Sequence, residues 1–295
     1  MKTGNRPSGM RLSRTASLRF VLCLALAILP ACLVRRRTVV SPAARQTLPL
    51  LTASKEQLIQ RLHGISDPIR SFLMTADLSP SILNPAKGIA TDYATVSAYV
   101  LFQRPADIRV LAKDPVLGST IFDMVSDGTQ FRVSIPPKKR FIIGNDNAPE
   151  TSGNKLENLR PNALLTSLMI YPPNPETDVT LLENDNERAV YILLIVRRDQ
   201  NQFVLARQVY FDGRTLHVSR QKTFNAIGGI VSDTKYSDWK VYDGIPYPSG
   251  IDIQRLRDNY EVQLSVMSMR FNTPQVTPSK FVLEQPPDAE LQMLK

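Results

Sequence analysis

His63 and His217 are the side chains best suited to moving protons near neutral pH, and about 150 residues separate them. The sequence offers them no partners: it contains no HExxH, no paired cysteine ligands and no P-loop. His63 falls near the end of a helical stretch, where a cation is favoured, and reads as a surface or packed residue. His217, between Leu216 and Val218, reads as a solvent-face strand residue. Asp127-Gly128 and Asp212-Gly213 have the chemistry of tight turns rather than of an acid–base pair. A GxSxG nucleophile elbow is missing, and Gly228-Gly229 is not followed by the helix that a phosphate loop needs, so it reads as a bulge or bend. The cluster Pro136-Pro137-Lys138-Lys139-Arg140 reads as a solvated hairpin tip, with contact to an anionic headgroup as its functional alternative. Neither catalysis nor a cofactor is expected.

Chemistry of another kind is written near the N-terminus. Lys2, Arg6, Arg11, Arg14 and Arg19 precede the apolar run Phe20 to Cys32, FVLCLALAILPAC, and the first acid is Glu56. That run has the length of a secretory h-region. It is too short to span a bilayer, which takes roughly 20 apolar residues. Of two cysteines, Cys23 lies inside the segment that cleavage would remove, so one thiol, Cys32, would remain. A disulfide within one mature chain is then impossible and the fold must rest on its core. Leu29-Pro30-Ala31-Cys32 resembles the lipobox of bacterial lipoproteins. The resemblance implies cleavage between Ala31 and Cys32, acylation of Cys32, and a membrane partner held through that lipid. An uncleaved anchor and ordinary secretory cleavage are the alternatives, and Arg35-Arg36-Arg37 just after the apolar run counts somewhat against export.

Removing 31 of 295 residues leaves 264, enough for one large β domain or two small ones. Five of the 36 basic residues leave with the leader, so the formal charge falls from +9 to +4, 31 basic residues against 27 acids. A basic pI therefore gives no case for nucleic acid, and basic and aromatic residues are not densely interleaved. Residues 32–53 carry two prolines and no acid, and read as a flexible tether.

Ser54-x-x-Gln57 is a capping box that opens a helix with Leu58, Ile59, Leu62 and Ile65 on one face. After Pro68 the period changes to two. Strands are expected over 72–78, 96–102, 108–112, 120–125, 130–135 and 141–143. A polar stretch from Gly144 to Glu157 reads as a surface loop. Asn158-Leu159-Arg160-Pro161 opens a second helix that Tyr171-Pro172-Pro173 ends. Its apolar Ala163, Leu164, Leu165, Leu168 and Met169 need a partner surface, and the concave face of a sheet is the obvious one. Further strands are expected over 188–198, 202–211, 214–222, 227–236, 239–242, 251–257 and 260–271. A proline-rich tail, 272–295, should be extended and wrap a surface. The pattern is mainly β with few helices, antiparallel and without βαβ alternation.

That order of elements behind a lipobox resembles the LolA/LolB-like lipoprotein-carrier superfamily. More closely, the chain is similar to an uncharacterised group of bacterial lipoproteins with that fold. The similarity is carried by Arg104-Pro105, Ile108-Arg109, Pro115, Gly118, Phe122, Met124, Ser126-Asp127-Gly128, Phe131, Pro136, Phe141, Gly144 and Asn158-Leu159-Arg160-Pro161. It covers about 54 to 175 and is topological beyond. The resemblance implies a single domain over 54–271, a strongly curved antiparallel sheet forming an open half-barrel, with helices closing the concave face. It also implies a hollow that takes acyl chains of lipids or lipoproteins, in a periplasmic protein held at a membrane. Leu33 after the cysteine favours the outer one. No acyl-contact residue can be matched by position, and the same helices could fill the hollow as plain core. A scaffold lipoprotein that binds a protein partner is the second reading, a hydrolase the third. Intact-mass analysis of the purified chain should find an N-terminus at an acylated Cys32, and Cys32→Ser should release the protein from the membrane fraction.

Overall fold

The computed structural model describes residues 50–84, 87–145, 161–199, 202–256 and 258–294, without the side chains of Asn162, Ala163 and Asp199. The leader, Ala31, Cys32, nearly all of the tether, most of the 144–157 loop and the start of the second helix at 158–160 lie outside these residues.

Alternation of apolar and polar side chains produces one 15-stranded sheet. Its strands are β1 (Ser71–Asn84), β2 (Ile89–Asp92), β3 (Val96–Gln103), β4 (Asp107–Lys113), β5 (Thr120–Ser126), β6 (Gln130–Ile135) and β7 (Arg140–Asn145). After the second helix come β8 (Asp178–Asp185), β9 (Val190–Asp199), β10 (Gln202–Asp212), β11 (Val218–Phe224), β12 (Ile230–Tyr242), β13 (Ile245–Arg255), β14 (Tyr260–Phe271) and β15 (Glu290–Leu294). The spatial order is β15-β7-β6-β5-β4-β3-β1-β14-β13-β12-β11-β10-β9-β8, with β2 added to β1. Two antiparallel meanders thus meet where β1 pairs with β14. The sheet is open, with β8 at one edge and β15, parallel to β7, at the other.

Register keeps the greasy face continuous across that junction. Met269, Met74, Val100, Val110, Met124, Val133 and Ile142 stand side by side on seven neighbouring strands and all are buried. The sheet also curls. β5 and β13 are five strand steps apart, about 24 Å along a flat sheet. Yet Phe122 and Met124 of β5 line one small cavity together with Ile253 of β13. Only a strongly bent sheet brings those side chains together, so the expected open half-barrel is what the chain forms.

Helix α1 (Lys55–Ser66) begins where the capping box placed it. Ser54 Oγ accepts from the Gln57 amide at 3.3 Å and Gln57 Oε1 accepts from the Ser54 amide at 2.9 Å. It buries Leu58, Leu62 and Ile65 and approaches β13. Among the described residues no helix is long and apolar enough to cross a membrane.

Several strands differ from expectation. β2 and β8 were not expected, because IATD is exposed throughout and DVTLLEND is an edge strand with acids at both ends. The expected strands 227–236 and 239–242 are one strand, β12, and β13 starts six residues earlier than expected. Its Pro246 and Pro248 pair with β12, while pairing with β14 begins only at Gly250, so the proline nitrogens face no ladder partner. Strand β11 starts at Val218 rather than at Arg214, since Asp212–His217 form the turn. The tail adds β15 to the edge of the sheet.

Phe72 is fully buried between Phe102, at 5.2 Å between ring centroids, and Phe271, at 6.4 Å. Phe72→Ala should cost about 3–5 kcal/mol, read as a lower urea midpoint.

Candidate functional site

The concave face holds the second helix, α2 (Pro161–Leu168), which approaches β4 and β5 on one side and β12 and β13 on the other. Leu165, Leu168, Met169 and Ile170 are buried there. A helix end leaves four carbonyls without intrahelical partners, and burying them unpaired would be costly. In α2 each has a donor. The Leu165 carbonyl accepts from the Met169 amide at 2.8 Å. The Thr166 carbonyl accepts from Gln221 Nε2 at 3.0 Å, Ser167 from the Tyr236 hydroxyl at 2.8 Å, and Leu168 from the Tyr247 hydroxyl at 3.0 Å. Thr234 Oγ1 adds a bond to Ser167 Oγ at 3.1 Å.

These pins stand inside an otherwise apolar row. Leu193, Val209, Gln221, Thr234, Ile253 and Val262 are neighbours on consecutive strands, and the two polar members lie under the end of α2. Burial pushes the Tyr236 and Tyr247 phenols far above their ordinary range, so both remain protonated donors. Arg207 holds the chain just beyond the helix: Nη1 donates to the Tyr171 carbonyl at 2.9 Å and to Gln221 Oε1 at 3.3 Å, and Nη2 to the Pro172 carbonyl at 3.2 Å. Burial lowers its pKa to about 10, which leaves it charged at neutral pH.

The N-terminal half of α2 faces a different surface. Leu164 covers an apolar cavity of about 30 Å³ between Val110, Phe122 and Met124 on one meander and Ile253 and Val262 on the other. So small a space has room for a water or two, and its lining gives water almost nothing to bond. Strand direction puts the 114–119 and 225–229 loops at the same end of the sheet as this cavity. They carry exposed Val116, 88% accessible, Leu117 and Ile227, 91% accessible.

Residues singled out for chemistry have local partners instead. His63 Nδ1 lies 2.9 Å from Asp67 Oδ2 on the exposed side of α1. His217 stacks on Trp239, with centroids 5.0 Å apart, and burial lowers its pKa. Asp127 Oδ1 accepts from the Thr129 and Gln130 amides, and Asp212 Oδ1 from those of Arg214 and Thr215, so both are turn carboxylates. Gly228 has a positive φ of 79° in a turn that Asn225 closes through the amides of Ile227 and Gly229. Lys138 and Lys139 occupy the β6–β7 tip, where Lys139 meets Asp288 at 3.6 Å. Among the described residues no three His, Cys, Asp or Glu side chains are grouped to hold a metal ion. Sequence reasoning missed Arg207, Gln221, Tyr236 and Tyr247. Their signal was inward parity on polar side chains, invisible for Tyr247 because its half of β13 was not read as a strand.

No family model and no curated protein matches this chain. Solved structures similar to it include a DUF1329 family protein from Desulfovibrio piger, at 15% identity and TM-score 0.48, covering 76% of this chain and 94% of that one. A LolA superfamily protein from Nitrosomonas europaea aligns at 12% identity and TM-score 0.49, covering 79% of this chain and 99% of that one.

Tyr247→Phe deletes one donor and leaves a buried carbonyl unpaired, which should cost about 1–3 kcal/mol in chemical denaturation. The same change at exposed Tyr93 should cost almost nothing.

Proposed function

We propose that this protein is a membrane-anchored envelope lipoprotein that takes an acyl chain between α2 and the concave sheet, as a carrier or acceptor of lipid or lipoprotein. One observation carries the reading: the apolar cavity under Leu164, at an end of the half-barrel rimmed by exposed Val116, Leu117 and Ile227. The pins on α2 among the described residues hold its C-terminal end, so that end acts as the hinge and the Leu164 end as the part that lifts. Each methylene moved from water into the enlarged space would contribute about 0.8 kcal/mol. An acylated Cys32 and a seventeen-residue stretch to Pro49 would tether the domain to a bilayer, the outer membrane by the resemblance of its leader. Neither turnover nor a cofactor enters the reading.

A second reading, a non-catalytic scaffold lipoprotein for a protein partner, is favoured by how fully α2 fills the hollow: about 30 Å³ is far too little for a chain unless the helix moves. Binding of a fluorescent fatty acid to the purified full-length protein separates the two. Leu164→Ala should tighten binding several-fold by enlarging the space, and Leu164→Trp should abolish it. No saturable binding in either the parent or Leu164→Ala, with one stoichiometric protein recovered by pull-down, would select the scaffold.

A further inference from the structure

The other half of the concave face is polar and holds a second, larger space. An open pocket of about 430 Å³ lies among Thr166, Tyr171, Asp178, Arg197, Arg207 and Thr223. Three of these are charged. Arg197 Nε donates to Asp178 Oδ1 at 3.0 Å, and the other Asp178 oxygen accepts from the Asn174 amide at 2.9 Å. Two guanidinium groups and one carboxylate leave the wall with one net positive charge.

Arg207 carries that excess. It is 9% exposed, and among the described residues its three hydrogen bonds all go to neutral oxygens, those of Tyr171, Pro172 and Gln221. A guanidinium has five N–H groups, so two donors are still open. Asp178 attracts both guanidinium groups but is hydrogen-bonded to Arg197 alone of the two, and a buried arginine with open donors in a pocket is a natural seat for an oxyanion. A flat carboxylate can use one fork. The donors here sit on two arginines of neighbouring strands, with the Thr223 side chain beside them, an arrangement that suits a tetrahedral group.

We infer that the pocket around Arg207 and Arg197 binds a phosphate group, either as free phosphate or as the phosphodiester of a lipid headgroup. The site is separate from the apolar cavity and holds whether or not an acyl chain binds there. Tyr171, Pro172 and Phe224 give it an apolar wall for whatever carries the phosphate.

The test is calorimetric titration of the full-length protein in non-ionic detergent, with sodium phosphate in one arm and dihexanoyl phosphatidylglycerol in the other. Asp178→Asn raises the net charge of the wall and should tighten binding about fivefold. Arg197→Gln brings it to zero and should weaken binding at least tenfold, as should Arg207→Gln. Because Arg207 also holds the chain after α2, its variant could fail to fold. Arg197, whose side chain is half exposed, and Asp178 then carry the test. Saturation by inorganic phosphate with no gain for the lipid supports a free-phosphate site, and a tenfold gain for the lipid supports a headgroup site. Saturation in neither arm, binding indifferent to Arg197→Gln and Asp178→Asn, or acetate binding as tightly as phosphate would each overturn the proposal.

Discussion

A helix that ends inside a protein must find donors for its last four carbonyls, and the rest of this structure is arranged around that requirement. Gln221, Tyr236 and Tyr247 supply three of them from three neighbouring strands, while Arg207 takes the carbonyls of the following segment. Each is buried, and each would be an error on the inner face of a plain apolar sheet. Their presence divides the hollow into two regimes. Across β1, β3, β4, β5, β6 and β7 the face is aliphatic and aromatic. Across β10 to β12 it is punctuated by polar groups committed to the helix or to the pocket beside it.

That division sets what each half can do. The apolar half gains by excluding water and has no directional bonds to break, so hydrocarbon can replace Leu164 without leaving a polar group unsatisfied. The polar half is directional. Its groups hold α2 in one place, and its surplus positive charge faces a pocket rather than the core. Among the described residues the polar bonds from the sheet thus gather at the C-terminal end of this short helix, while Leu164 nearer its start meets apolar side chains.

The legibility of the chain follows the range of the interactions. Signals within a few residues were readable: the Ser54/Gln57 capping box, the turns at Asp127-Gly128 and Asp212-Gly213, the alternation in Phe72 to Leu78 and Val96 to Phe102. Strands without a local signal were not. β2 is exposed throughout, β8 borders solvent, and the first half of β13 hides behind Pro246 and Pro248, tolerated only because β14 pairs with the second half alone.

By itself the sequence determined the class of fold, the two helices and the side of the sheet that would be greasy, because periodicity and capping act between neighbours in the chain. Tertiary structure decided the rest. That β1 joins β14, that the sheet bends until β5 faces β13, and that Arg207, Gln221, Tyr236 and Tyr247 converge on one helix end all depend on residues scores of positions apart. No local pattern encodes such a meeting, since a buried polar side chain shows its purpose only when its partner arrives.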